Sequence, residues 1–336
     1  MSGNTIQEDY RYELLDNQNR VLRTLGGVQP GGLLEESIHT SPRAGASLRI
    51  RPTEEIDWLR HRVRINYLLN GRTIPLLTGL PASPGDDADS TGVEMQLDLY
   101  DRTSILDGDS YGEPFAVPPG ANLIEAVANV IASTGETQIS IPASPATTAT
   151  GIGWPSATTK LGIVNDLLTA AGYLTLWCDG LGWFRAEPYT PPSLRPKRFT
   201  FAGAVGDRYL PRVGRQFDPL AVPNRVRAIA KTDGSSEAAM AEAIDERPAN
   251  PFSKLNRGFW RTYTALDIEA SDLAGWATRR LAELQQVYEA HTVTHAWIDA
   301  GLNDAGLYHG RLAVLQKRRQ RLAVGGLVVS TLRTVI

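Results

Sequence analysis

The sequence predicts a β-dominated α+β chain in which a first β-barrel or sandwich block and a last β-rich block flank a small helix and hairpin domain. Three observations carry this reading. Within residues 1–112, about seven short runs alternate with period 2, turn signals separate them, and no helical period intrudes. Within residues 113–190, apolar positions move to helical spacing and stop at glycines. Residues 191–336 return to strand patterning after a proline-rich linker and are interrupted by one amphipathic helix, about 271–288.

In the first block, residues 12–15 and 21–25 flank Asp-Asn-Gln-Asn, a dense turn signal. Residues 33–39 and 46–50 are short strand candidates around Ser41-Pro42. Residues 60–69 give the clearest strand. Val63, Ile65 and Tyr67 alternate with Arg62, Arg64 and Asn66, which puts an apolar set on one face and a polar set on the other. Asn70-Gly71 reads as a two-residue hairpin turn, because both positions tolerate positive φ. Residues 73–80 return, 81–92 (PASPGDDADSTG) read as a loop by composition, and 93–99 alternate again.

In the middle, Leu123, Val127, Val130 and Ile131 recur at helical spacing up to Gly135. Residues 140–152 are rich in Ala, Thr, Ser and Pro and read as a loop. A second helix, capped by Ser156 or Thr158, carries Leu161, Val164, Leu167, Leu168 and Ala171 and stops at Gly172. Residues 173–177 and 183–186 form a hairpin around Asp179-Gly180, with Trp177 and Trp183 as a cross-strand pair. The run PYTPPSLRPKR marks the boundary to the last block. There, strands are expected at 224–229, 259–264, 292–298, 308–316 and 325–334, with a Gly/Ser loop after Lys231. Ser271 or Asp272 caps the helix, whose stripe is Leu273, Trp276, Ala277, Leu281, Leu284 and Tyr288.

Composition narrows the function. Lys and Arg number 34 and Asp and Glu 37, so the net charge of -3 does not mark a nucleic-acid binder. The charge is unevenly spread: -6 over residues 1–110, -4 over 111–190 and +7 over 191–336. An acidic first block and a basic last block suit complementary contacts between neighbouring subunits. The single cysteine, Cys178, allows neither an intrachain disulfide nor a cysteine-based zinc site. No apolar run approaches the roughly 20 residues that span a bilayer. The polar N-terminus does not read as a secretory signal, so assembly in a cytoplasm is expected.

Catalytic motifs are missing: there is no G-x-x-x-x-G-K-[ST], no G-x-G-x-x-G opening a helix after a strand, and no G-x-S-x-G. His291 and His295 are four apart, but Thr292, Val293 and Thr294 favour a strand. There the two rings share a face about 13 Å apart, too far for one metal. Asp86, Asp87 and Asp89, and Asp107 and Asp109, match a calcium loop only in part and read as solvated acidic loops. No catalytic, cofactor or metal residue is assigned. The basic cluster Lys317, Arg318, Arg319 and Arg321 reads as a solvated hairpin tip, or as a contact with an acidic partner or with nucleic acid. Arg60, Arg62 and Arg64, on one side of one expected strand, carry the same alternatives.

Several stretches together resemble the baseplate or tail-tip hub proteins of tailed phages, the minor tail proteins of siphophages. YELLDNQNRVLRTLGGVQPGGLLEESIHTSPRAGASLRI, from Tyr12, looks like their first barrel, and IDWLRHRVRINYLLNGRTIPLLTGL, from Ile56, like its following hairpin. LDLYDRTSIL, from Leu97, resembles the exit strand with its "yDr...L" ending. LLTAAGYLTLWCDGLGWFRAEPYTPP, from Leu167, resembles the "aGy....D..G.f...py..p" hairpin. DPLAVPNRVRAIA, from Asp218, resembles the "d...v.Nrv.v" start of the second barrel, and the segment from Asp304 resembles the closing hairpin.

The resemblance implies a homotrimeric virion structural protein with no enzymatic activity and no cofactor. Two tail-tube-like barrels per subunit would build a pseudo-six-fold ring at the tail tip. That ring would adapt the distal tail protein ring to a three-fold tip or central fibre. Its lumen would hold the end of the tape measure protein and pass genomic DNA without sequence specificity. The alternatives are a carbohydrate- or receptor-binding tail-tip protein, which requires clustered exposed aromatics, and a cell-wall glycan hydrolase, which requires two carboxylates facing across a cleft.

Overall fold

The computed structural model describes residues 7–89, 92–203, 209–216, 219–231, 238–268, 272–285 and 288–335. The first block supplies β1 (Glu8–Leu15), β2 (Val21–Thr24), β3 (Gly32–Ser37), β4 (Ala44–Ile50), β5 (Arg62–Leu69), β6 (Arg72–Asp89) and β7 (Gly92–Asp101). Helix α1 (Thr103–Asp107) falls within the first block, where no helix was expected, and packs on the middle through Leu106; the middle supplies β8 (Phe115–Val117), α2 (Leu123–Ala132), β9 (Ile139–Ser140), β10 (Ile152–Trp154), α3 (Lys160–Ala170), β11 (Trp177–Cys178) and β12 (Phe184–Arg185). The last block supplies β13 (Lys197–Phe201), β14 (Tyr209–Gln216), β15 (Arg225–Ala230), β16 (Met240–Ile244), α4 (Lys254–Arg257), β17 (Thr262–Ile268), α5 (Leu273–Gln285), β18 (Tyr288–His295), β19 (Ala305–Tyr308), β20 (Arg311–Leu322) and β21 (Val328–Val335). The fold is β-dominated α+β.

One large mixed sheet holds 13 strands: eleven run β14-β18-β21-β20-β3-β4-β7-β6-β5-β1-β2, and β19 with β13 branches from β20. β20 joins the two ends of the chain. Its first residues pair with β19, its last six with β3, and its other edge with β21. No closed barrel is found among the described residues; strands from the first and last blocks share this one sheet. The last block also splits: β15, β16 and β17 form their own sheet, whose Val226, Ala228 and Ala243 pack on Ala277 and Leu281 of α5.

Local signals explain the elements. Asn70 (φ 48°) and Gly71 (φ 79°) make the tight turn between β5 and β6. Asn122 accepts from the amides of Ile124 and Glu125 and caps α2, and Gly135 follows at φ 86°. Thr159, not Ser156 or Thr158, caps α3 through the amide of Gly162. Asp272 accepts from the amide of Gly275 at the start of α5, while Ser271 lies outside the described residues. The helix ends at Gln285, and Tyr288 belongs to β18, where a new backbone ladder takes over. The segment after Lys231, read as a Gly/Ser loop, is outside the described residues up to 237.

Four further expectations change. The strand expected over 308–316 is broken at His309 (φ 47°) and Gly310 (φ 77°), which turn β19 back into β20. Residues 81–89 continue β6 and pair with β7 from Gly79↔Asp101 to Asp89↔Gly92, because a backbone ladder does not need apolar side chains. Arg60 precedes β5 in a turn rather than lying on the strand. Lys317, Arg318, Arg319 and Arg321 lie inside β20; the turn after it holds Gly325 at φ 72°.

Candidate functional site

The polar side of β5 is covered. Arg62 is buried, and its Nη2 meets Glu136 Oε1 at 2.7 Å while Nη1 donates to Asn19 Oδ1 at 2.9 Å. Arg64 Nε donates to Thr78 Oγ1 at 3.0 Å, and its Nη1 stands 3.8 Å from Glu13. Burial pulls both guanidinium pKa values down, opposed mainly by Asp16 for Arg62 and by Glu13 for Arg64. Arg60 remains exposed, 3.5 Å from Asp57. The three arginines therefore do not form one surface.

The covering element is the middle block, and its contact centres on Arg102, only 1% exposed. Arg102 pairs with Glu136, donates to the carbonyl of Gly182 and to Gln138 Oε1 (2.6 Å), and lies over the Phe184 ring at 5.1 Å. Burial pushes its pKa down to about 10, and the nearby Arg62 charge adds to the shift. Asp101 beside it accepts from the amides of Ala44 (2.7 Å) and Thr103 (2.8 Å), which fixes the exit of β7. On the facing turn, Asp179 accepts from the amides of Leu181 (3.0 Å) and Trp183 (2.9 Å). That turn touches β6 through Gly180, where a Cβ would lie 2.0 Å from the Pro75 carbonyl oxygen. Trp177 faces Arg185 in the register rather than Trp183, and Arg43 stacks on its ring at 5.3 Å.

The second cluster lies along the β3–β20 seam. Arg318 is buried; its Nη2 meets Glu36 Oε2 at 2.5 Å, Nη1 donates to the Ala300 carbonyl at 3.0 Å, and the guanidinium stacks on Trp297 at 4.8 Å. Period 2 then turns Lys317, Arg319 and Arg321 outward, and all three are exposed. Arg319 reaches Glu35 at 3.0 Å. A cavity of about 460 Å³ opens where the three blocks meet, lined by Arg43, Trp177, Cys178, Arg195 and Arg318.

The two histidines are spent internally, while the side chains of Asp86, Asp87 and Asp89 lie outside the described residues. His291 and His295 face inward on β18, against Thr334 Oγ1 (3.0 Å) and Ser330 Oγ (2.8 Å). Among the described residues no group of three or more His, Cys, Asp or Glu is placed to hold a metal. Sequence reading missed Arg102, Glu136 and Glu36. Arg102 sits in the quoted LDLYDRTSIL stretch, but nothing local points to Glu136 or Glu36 as its or Arg318's partner.

No family model and no curated protein matches the sequence. Solved structures do match, over nearly the full length of both chains. The tail protein from Neisseria meningitidis MC58 superposes with a TM-score of 0.67 at 15% identity, covering 98% of this chain and 97% of that one. The 43 kDa tail protein of prophage MuSo2 from Shewanella oneidensis gives 0.63 at 12%, covering 97% and 98%. The prophage tail protein gp18 from Listeria monocytogenes EGD-e gives 0.60 at 11%, covering 96% and 94%. At these identities the likeness is one of fold, and the chain has the fold of phage tail proteins over almost its whole length.

Proposed function

We propose that this chain is a structural component of a phage tail tip, a hub ring subunit without enzymatic activity. The observation that supports it most is the end-to-end fold match to tail proteins. In this reading residues 1–112 and 191–336 are related, tail-tube-like halves, residues 113–190 are an insert, and three copies close a ring. The ring adapts a distal tail protein ring to a three-fold tip, holds the tape measure end and passes DNA. It acts in the virion after assembly in the host cytoplasm.

The structure of the basic residues narrows which of them can serve contacts with a neighbour or with DNA. Arg62 and Arg318 are buried in intramolecular ion pairs, whereas Lys317, Arg319 and Arg321 point outward in one row. We assign the outward row to the interface or lumen. Native mass measurement of the full chain, with imaging of assembled tail tips, tests the reading. A trimer is expected; a stable monomer that makes no ring contacts in the tail overturns it.

A further inference from the structure

The apolar cores of the middle block and of the large sheet do not merge. One core runs from Leu106 to Ala186, and the other comprises residues between Tyr12 and Leu99 together with Leu322. Among the described residues, β8 to β12 pair only with one another. What lies between the two cores is polar. Arg62 and Arg102 share Glu136, Asn19 donates to Gln138, Thr78 Oγ1 donates to the Gly180 carbonyl at 2.8 Å, and Arg64 Nη2 reaches the Leu181 carbonyl at 3.4 Å.

Such a seam opens differently from an apolar one. Parting two apolar faces exposes both to water with no return. Parting a desolvated ion pair returns hydration to both charges, which offsets much of the lost attraction. The chain enters the block directly from β7 and leaves it through the proline-rich run before β13, so both connections are short and lie at its edges.

We propose that the middle block undocks from the sheet as a unit about these two connections, with Arg62, Glu136 and Arg102 as the latch. Its contacts with the last block include stacked cations, Lys231 at 4.4 Å from the Trp154 ring centre and Arg195 at 5.8 Å from that of Tyr189. Undocking widens the cavity between the three blocks, because the hairpin carrying Trp177 and Cys178 forms one of its walls.

Cys178 reports the motion. It is the single cysteine of the chain, and it lines that cavity beside Pro75 and Leu76 of β6. The thiol is partly exposed at the cavity wall, and desolvation there holds its pKa well above the ordinary value, so the docked form offers little thiolate. The test is the rate of N-ethylmaleimide labelling of the full chain near neutral pH, run beside hydrogen exchange of α2 and α3. Glu136→Gln leaves two buried arginines facing a neutral amide. Gly180→Ala forces the hairpin tip off Pro75 without touching a charge. Each is expected to speed labelling at least about tenfold, equivalent to about 1.4 kcal/mol of docking, while α2 and α3 keep their protection. Unchanged labelling in both variants overturns the proposal. So does faster labelling that comes only with loss of α2 and α3 protection, because the block then opens by unfolding. If Glu136→Gln does not fold, Gly180→Ala alone decides between these outcomes.

Discussion

Arg318 and Glu36 stand opposite each other in the β3–β20 register and form an ion pair, Arg318 buried and Glu36 partly so, between residues 282 positions apart. The next pair along, Arg319 opposite Glu35, repeats the sign pattern on the outer face. The acidic first block and basic last block therefore meet within one chain along this seam. Complementary charge was expected between neighbouring subunits; here it fixes how the two ends of a single subunit join.

The two pairs differ in solvation, and so in what they contribute. Removing one partner of a buried pair strands the other charge, which costs about 3–5 kcal/mol. An exposed pair contributes about 0–1 kcal/mol. Glu36→Ala is therefore expected to lower unfolding stability by about 3–5 kcal/mol, and Glu35→Ala by less than about 1 kcal/mol. Urea unfolding of both variants checks this, and equal losses would refute it.

His295 ties the same region to pH. Burial lowers its pKa, with the Arg318 charge adding to the shift and the Ala296 carbonyl opposing it. The unfolded chain takes up that proton near the ordinary value of about 6.5. Stability from this group is thus whole above about pH 6.5 and is lost as the pH falls below it. The urea midpoint is expected to drop between about pH 7.5 and about pH 5.5, and to drop less in His295→Gln. An identical drop in both proteins would show that His295 is not responsible.

How much of this was legible in the sequence follows from the range of each interaction. The two middle helices were legible because apolar spacing and Gly135 are local; the Asn122 cap of α2 was not named, and the cap of α3 was misplaced by one residue from Thr158. The β5–β6 hairpin was legible from Asn70-Gly71 for the same reason. Pairing of β20 with β3 was not, since nothing near Arg318 indicates a strand almost the whole chain away. The face of β5 misled for a related reason. Arg62 and Asn66 alternate like solvent-facing residues, yet both are buried, Arg62 against Glu136 of the middle block. Alternation shows which residues share a face, not what lies against it.

Asn224 shows how one polar side chain can organise a loop. It is fully buried; its Nδ2 donates to the carbonyls of Phe252 (3.1 Å) and Phe259 (2.9 Å), and its Oδ1 accepts from the amide of Arg261 (2.8 Å). Asn224→Ala removes all three bonds and leaves buried backbone groups unpaired, for about 2–4 kcal/mol. Asn224→Asp keeps the acceptor but aims a carboxylate at two carbonyl oxygens, so no rescue is expected. A denaturant midpoint for Asn224→Asp close to wild type would show that the two donated bonds contribute little.

The exposed row on β20 separates assembly from folding. Lys317, Arg319 and Arg321 point outward and bury no core, so changing all three to Ala removes surface charge and one exposed ion pair at Glu35. Arg318 must stay, because its loss breaks the Glu36 pair and would mask any effect on contacts. The triple variant is expected to unfold within about 1 kcal/mol of wild type. If the row serves a neighbouring subunit or DNA, the variant should form fewer complete tails, and its association should depend less on salt. Tail assembly at wild-type yield, with unchanged salt dependence, would remove this row from the interface.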